Sequence, residues 1–382
     1  MLRSFVGSSR GTDNRRLLRS RRLGAVLVAA LLCLAGAASA SAYDRLLRPP
    51  GHSTFFGVTD TGDVPGFTSF ADAVGKHPAV IETFHPWGNS LHTAIPRWGT
   101  VAARPMLAIS TSDPNDGHEI ITPRGIATAG DDDYLIRLNS SFATRNLKVY
   151  IRPLGEVNRC LNAWAAYDCT GHSRGSAYSP GWYKQAFRRM YIILHGGGTK
   201  EQIDYRLHAL NLPRLDRKKG NGGQPDSLPA APVSLVWSPL PGGSPKTRRN
   251  RPSHFYPGDK YVDWIGTDFY SQYPVWPSLK RFYGEYRSHG KPFVLSEWGV
   301  SDGDDPRFVK KVFSFVQHHS ATRMLVYYQD FGPSNRYRIQ NYPKSRAVLD
   351  HLLRGGGFPT FAPEPPPPPP PGTPTSRIGT GG

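Results

Sequence analysis

The sequence predicts an α/β chain folded as a single (β/α)8 barrel, a TIM barrel forming one domain. Three observations carry this. Between residues 55 and 354 eight short β-rich runs recur, most of them near-continuously apolar, as parallel strands buried on both faces should be. Longer amphipathic stretches separate them, which is the order of helical crossovers. The chain has 382 residues, and barrels of about 250 residues or more form one unit, so no second folded domain is required.

The strands are expected at 55–60, 79–84, 105–110, 148–154, 233–238, 262–268, 292–297 and 324–329. Helices are expected at 67–76, 131–145, 180–195, 279–289, 306–319 and 344–353. Residues 196–232 and 240–260 read as loops rich in Gly, Pro and basic residues. In His195-Gly196-Gly197-Gly198-Thr199-Lys200 no strand precedes the glycines and no nucleophile elbow exists elsewhere, so the run reads as a helix stop capped by Gly196. The barrel domain is therefore assigned to 43–360. Residues 361–382, with Pro365–Pro371 and a Gly/Thr/Ser end, cannot build a core and read as a disordered Pro-rich tail.

Residues 1–42 read as a secretory signal peptide. Arg-rich residues 1–22 precede the apolar run Leu23–Gly36 and the small-residue sites Ala38-Ser39-Ala40 and Ala40-Ser41-Ala42. The apolar run falls short of the roughly 20 residues a membrane span needs, so no stable span is expected after cleavage. Arg15-Arg16 and Arg21-Arg22 leave a twin-arginine route open beside the general one. The expected location is extracellular, with association to the cell envelope as an additional expectation. Cys33 lies in the leader, and the remaining pair, Cys160 and Cys169, is expected to form a disulfide that shapes one loop. Two cysteines without a Cys-x-x-Cys disfavour structural zinc, and His318-His319 on a helix make no metal site, so no metal or cofactor is expected.

Lys and Arg outnumber Asp and Glu by 47 to 29, a net charge of +18 and a pI near 9.9. The clustered charge lies in Arg214, Arg217, Lys218 and Lys219, and in Lys246, Arg248, Arg249 and Arg251. No recognition motif accompanies these runs, so they read as solvated loops rather than a nucleic-acid site. Net charge of this size does suit weak attraction to anionic cell-envelope polymers.

Two acids sit where barrel chemistry belongs. Glu156 closes the fourth strand and Glu297 the seventh, and in a ring of eight those C-terminal ends face each other across the mouth. Glycoside hydrolysis needs such a pair: one carboxyl gives a proton to the leaving oxygen, and the other attacks the anomeric carbon or activates water. Glu156, partly desolvated and near a second negative charge, is expected to hold its proton longer than Glu297. Tyr270, at the end of the sixth strand, is within reach of Glu297. Trp87, Trp164, Trp237 and Trp298 crowd the same ends and offer flat faces to sugars, with Trp237 equally suited to the core. His85, before Pro86, fits either a substrate contact or a hydrogen-bonded turn.

The segments Arg152-Pro153-Leu154-Gly155-Glu156-Val157-Asn158, Val236-Trp237-Ser238-Pro239, Tyr256–Tyr270 and Ser296-Glu297-Trp298-Gly299 resemble glycoside hydrolase family 26, over residues 55 to 354. The resemblance implies a (β/α)8 barrel and retaining hydrolysis, with Glu156 as acid/base, Glu297 as nucleophile and Tyr270 as its hydrogen-bond partner. Arg152 and Asn158 fall inside the matching motif and are carried as substrate-binding or orienting residues. Members of that family mostly cut β-1,4-mannan internally, while others act on β-1,3-xylan or mixed-linkage β-glucan. This chain departs from the pattern at Gly155, where a His is usual, at Trp164, displaced along the chain, and at Tyr328, where a Trp is common in the clan. The expectation is a secreted endo-glycosidase with a polysaccharide substrate. The departures keep a second one open, a glycan-binding, envelope-associated barrel without turnover.

Overall fold

The computed structural model describes residues 46–215, 226–329 and 336–363. The barrel lies wholly within Pro49–Gly382. The expected signal peptide, nearly all of the Pro-rich tail, and Arg217, Lys218 and Lys219 lie outside the described residues.

The strands are β1 (Phe55–Thr59), β2 (Val80–Pro86), β3 (Arg104–Ser110), β4 (Val149–Pro153), β5 (Val233–Trp237), β6 (Trp264–Tyr270), β7 (Phe293–Gly299) and β8 (Thr322–Tyr327). They close in chain order into a parallel barrel, β8 returning to β1. Burial on both faces is what the sequence required: β1, β4, β5 and β7 expose no residue.

Side chains alternate between two cores. Outward residues such as Ile81, Leu107, Ile151 and Leu295 join the apolar layer beneath the helices. Inward residues fill the barrel, and at its N-terminal end Arg104 lies between the rings of Phe55 and Tyr150, while Tyr150 packs edge-on against Trp264. Contacts between strands that are not neighbours can only run through the barrel interior, so this end is plugged. Chemistry is left to the other end.

Helix starts follow local chemistry. Asp63 accepts from Gly66 N at 2.6 Å to open α1 (Val64–Ala73), and Ser179 accepts from Trp182 N at 3.2 Å to open a long helix at Pro180–His195. That helix stops at Gly196, whose φ of 58° suits glycine. The remaining α-helices among the described residues are Ala94–Thr100, Pro123–Ala127, Asp132–Thr144, Lys200–His208, Trp276–Tyr286, Pro306–His318 and Pro343–Arg354.

Three of these, Ala94–Thr100, Pro123–Ala127 and Lys200–His208, correct the sequence reading. The first two are a few residues long and contain Gly and Pro, so they have no period to detect. Lys200–His208 lies in a stretch read as loop. It opens with a capping box between Thr199 and Gln202, but only Ile203 and Leu207 give it an apolar face. Beside it, Gly198–Thr199 and Ser227–Leu228 form a small antiparallel ribbon. The strand ends differ too: β4 stops at Pro153, three residues before Glu156, while β6 and β7 run on to Tyr270 and Gly299.

Candidate active site

Two cavities of about 520 and 340 Å³ open at the C-terminal mouth of the barrel, and both are lined by Glu156, Arg159, Glu297 and Tyr328. The larger runs out over the ends of β5 and β6, past Leu240, Lys246, Tyr270 and Tyr273. The smaller runs over β2, β3 and β4, past Phe84, Ser110 and Trp164. Glu156 and Glu297 thus stand where the two halves of a cleft meet.

Glu297 owes its direction to an irregularity in β7. Thr267 pairs with Leu295 but Asp268 pairs with Glu297, so Ser296 is an extra residue on the β7 side. Ser296 stays inward, its hydroxyl 2.6 Å from that of Ser238. Glu297 then also turns to the mouth, and Trp298 turns outward against Phe308 and Phe313. The Glu297 carboxyl accepts from Arg152 on one oxygen and from the Tyr270 hydroxyl on the other. Burial and the Glu297 charge hold the Tyr270 phenol well above its ordinary range, so it stays a donor.

Arg152 is itself buried. Its Nη1 reaches Glu82 of β2 at 3.0 Å and Glu297 of β7, and its Nη2 reaches Asp268 of β6. One guanidinium therefore serves three carboxyl groups, more than it can neutralise. Burial pushes Glu82 up to about 8 and Asp268 well above the usual carboxylate range, so protons remain in the cluster.

Glu156 sits on a turn rather than a strand end. Leu154 and Glu156 both adopt left-handed backbone, with φ of 52° and 49°, a conformation that costs non-glycine residues energy and is held only where surroundings enforce it. The surroundings do so here. Glu156 N donates to Ser238 O at 2.7 Å, Asn162 donates to Glu156 O at 3.0 Å, and Trp164 Nε1 donates to Gly155 O at 2.9 Å. Asn162 and Trp164 lie in the loop closed by the Cys160–Cys169 disulfide. Burial, and next the Glu297 charge, raise the Glu156 carboxyl above its ordinary value, although Arg159 donates to it at 3.0 Å.

Among the residues singled out from sequence, Glu156, Glu297, Tyr270, Arg152 and Trp164 come together at the cleft. Four do not. Asn158 is fully buried, its amide spent on both backbone groups of Leu240 at 2.7 and 2.9 Å, so it pins the cavity wall instead of touching the cavity. His85 turns to Asn89 O at 3.0 Å, the turn alternative, and burial holds it below its ordinary value. Trp87 fastens β2 to the start of Asp132–Thr144, its Nε1 donating to Asp131 at 2.9 Å. Trp298 is core, as is Trp237 against Tyr256 and Tyr286.

Sequence reasoning passed over Glu82, Asp268 and Arg159. A lone acid inside an apolar run, as in Val80-Ile81-Glu82-Thr83, was the available signal for the first two.

No family model matches the sequence, and no curated protein matches it significantly. Solved structures do resemble it. A mannanase of Bacillus subtilis aligns at 16% identity and TM-score 0.52, over 84% of this chain and 90% of that one. A double mutant of a Cellulomonas fimi endo-β-1,4-mannanase aligns at 16% and 0.56, over 84% and 74%. A family 26 β-mannanase of Bacteroides ovatus aligns at 15% and 0.52, over 85% and 94%. At such identity the likeness is one of fold: the chain is a (β/α)8 barrel of the kind these glycoside hydrolases share.

Proposed function

We propose that this protein is a retaining endo-glycoside hydrolase of family 26 type, acting on a β-linked polysaccharide, β-1,4-mannan before β-1,3-xylan or mixed-linkage glucan. The observation that carries the reading is the meeting of two cavities at Glu156 and Glu297. A glycan lying along both would place its scissile bond between the two carboxyl groups. Glu156, whose proton is retained by burial, donates to the leaving oxygen while Glu297, oriented by Arg152 and Tyr270, attacks the anomeric carbon. Glu156, now a carboxylate, takes a proton from the water that releases the sugar. Phe84, Tyr273 and Trp164 offer ring faces along the path. The fold likeness to three mannanases adds support, as does the motif resemblance around both glutamates.

Export through the leader at 1–42, with weak retention on anionic envelope polymers, is part of the same proposal and rests on the sequence alone. The experiment is reducing-end release from galactomannan, glucomannan, β-1,3-xylan, mixed-linkage glucan and cellulose, run beside Glu297→Ala and Glu156→Ala. Release from one substrate, abolished in both variants, is the expected result. Full activity in either variant sinks the assignment, and binding without release from any substrate favours the glycan-binding barrel.

A further inference from the structure

The larger cavity exposes positive charge that a neutral glycan does not need. Its acids are all engaged within the site: Glu297 with Arg152 and Tyr270, Asp268 with Arg152, and Glu156 with Arg159. Its cations keep donors to spare. The Arg159 side chain is 43% exposed and spends only Nη1 on Glu156, while Lys246 is exposed in the wall and has no hydrogen bond or ion pair among the described residues.

These two cations are placed by ordered backbone. The segment at 240–250, read from sequence as a solvated loop, is one wall of the cleft. Arg159 and Ser244 pair as a β-bridge, Cys160 N donates to Ser244 O at 2.7 Å, and Ser244 N donates to Asn158 O at 2.8 Å. Asn250 closes the segment from the other side, donating to Pro245 O at 2.9 Å and to Asn158 O at 2.8 Å. Lys246 is thereby tied to the turn that carries Glu156. Arg248, Arg249 and Arg251 continue the exposed positive charge beyond it. A cation fixed beside a partly desolvated cleft attracts an anion more strongly than one on an open surface.

We propose that the cleft takes an acidic β-glycan, one whose sugars next to the scissile bond carry carboxylate or sulfate groups that meet Arg159 and Lys246. The proposal rests on the hydrolase reading above and narrows its substrate class. Its test compares one backbone with and without charge: β-1,4-polymannuronate, a sulfated β-1,4-mannan and neutral β-1,4-mannan, with kcat/KM measured on each at low and at high salt.

The expected result is a preference of about tenfold or more for one acidic polymer over mannan, the size of one good contact to a charged group. It should shrink as salt screens the exposed cations, and Lys246→Gln should lower the ratio of acidic to neutral kcat/KM. Which acidic polymer is preferred tells carboxylate from sulfate. Equal or faster cleavage of neutral mannan, or a ratio unchanged by Lys246→Gln, overturns the proposal and leaves the hydrolase reading standing. No release from any of the three, with wild type indistinguishable from Glu297→Ala, removes the hydrolase reading for this backbone and the acidic-glycan proposal with it.

Discussion

The general acid proposed at Glu156 must keep a proton until the leaving oxygen needs it, yet a guanidinium lies 3.0 Å from its carboxyl. Burial and the charge of Glu297 outweigh Arg159, so the carboxyl sits above its ordinary value, but Arg159 trims that rise. Removing the cation takes away a group that favours the ionised carboxylate, so the pKa should climb further. In Arg159→Gln the alkaline limb of the kcat profile should therefore move to higher pH. An unmoved or acid-shifted limb would show that another group sets it. Gly155 belongs to the same argument. A Cβ there would lie 2.8 Å from Arg152 Nε and 2.9 Å from its Cζ, so the space beside the acid is filled by the guanidinium that holds Glu297. The side chain usual in the resembled family would have to displace Arg152.

At the scale of elements, the disulfide loop and the Glu156 turn act as one unit. Asn162 and Trp164 hold the carbonyls of a turn whose left-handed backbone is costly, and the Cys160–Cys169 bond fixes the loop that carries both. Opening that bond with the double variant Cys160→Ser, Cys169→Ser should lower unfolding free energy by about 2–3 kcal/mol, the range for so small a loop. It should also lower kcat more than it changes KM, because Glu156 loses its support. A loss of stability with kcat intact would mean the turn is held without the loop. The strands were legible in the sequence because burial on both faces writes a plain apolar run. Lys200–His208 was not, since two apolar residues make no detectable stripe. Trp298 was misplaced for a subtler reason: simple alternation would put Glu297 and Trp298 on opposite faces either way round, and only the extra residue at Ser296 decides which one faces the mouth. Asn158 likewise lies in a motif shared with the acid, but its side chain acts on a wall 82 residues away.

Across the whole molecule, Arg152 joins β2, β4, β6 and β7 through the interior, and no local pattern encodes that set of contacts: a lone acid in an apolar run marks Glu82 and Asp268 as buried but does not name their shared partner. The junction makes stability depend on pH in a definite direction. Glu82 is fully buried, and its carboxyl is raised from 4.5 to about 8. Between those values the folded chain binds a proton that the unfolded chain has released, so unfolding free energy falls as pH rises from 4.5 through 8. A shift of this size in a fully buried group corresponds to a contribution on the order of a few kcal/mol. Glu82→Gln keeps the shape and an oxygen for Arg152 but has no proton to lose. Denaturant unfolding of wild type and Glu82→Gln at pH 5 and pH 8 should show the wild type losing more stability over that interval, the difference between the two losses being the Glu82 contribution. Equal losses would mean that the proton in the cluster rests on Asp268, and that Glu82 is ionised throughout as a plain counter-charge to Arg152.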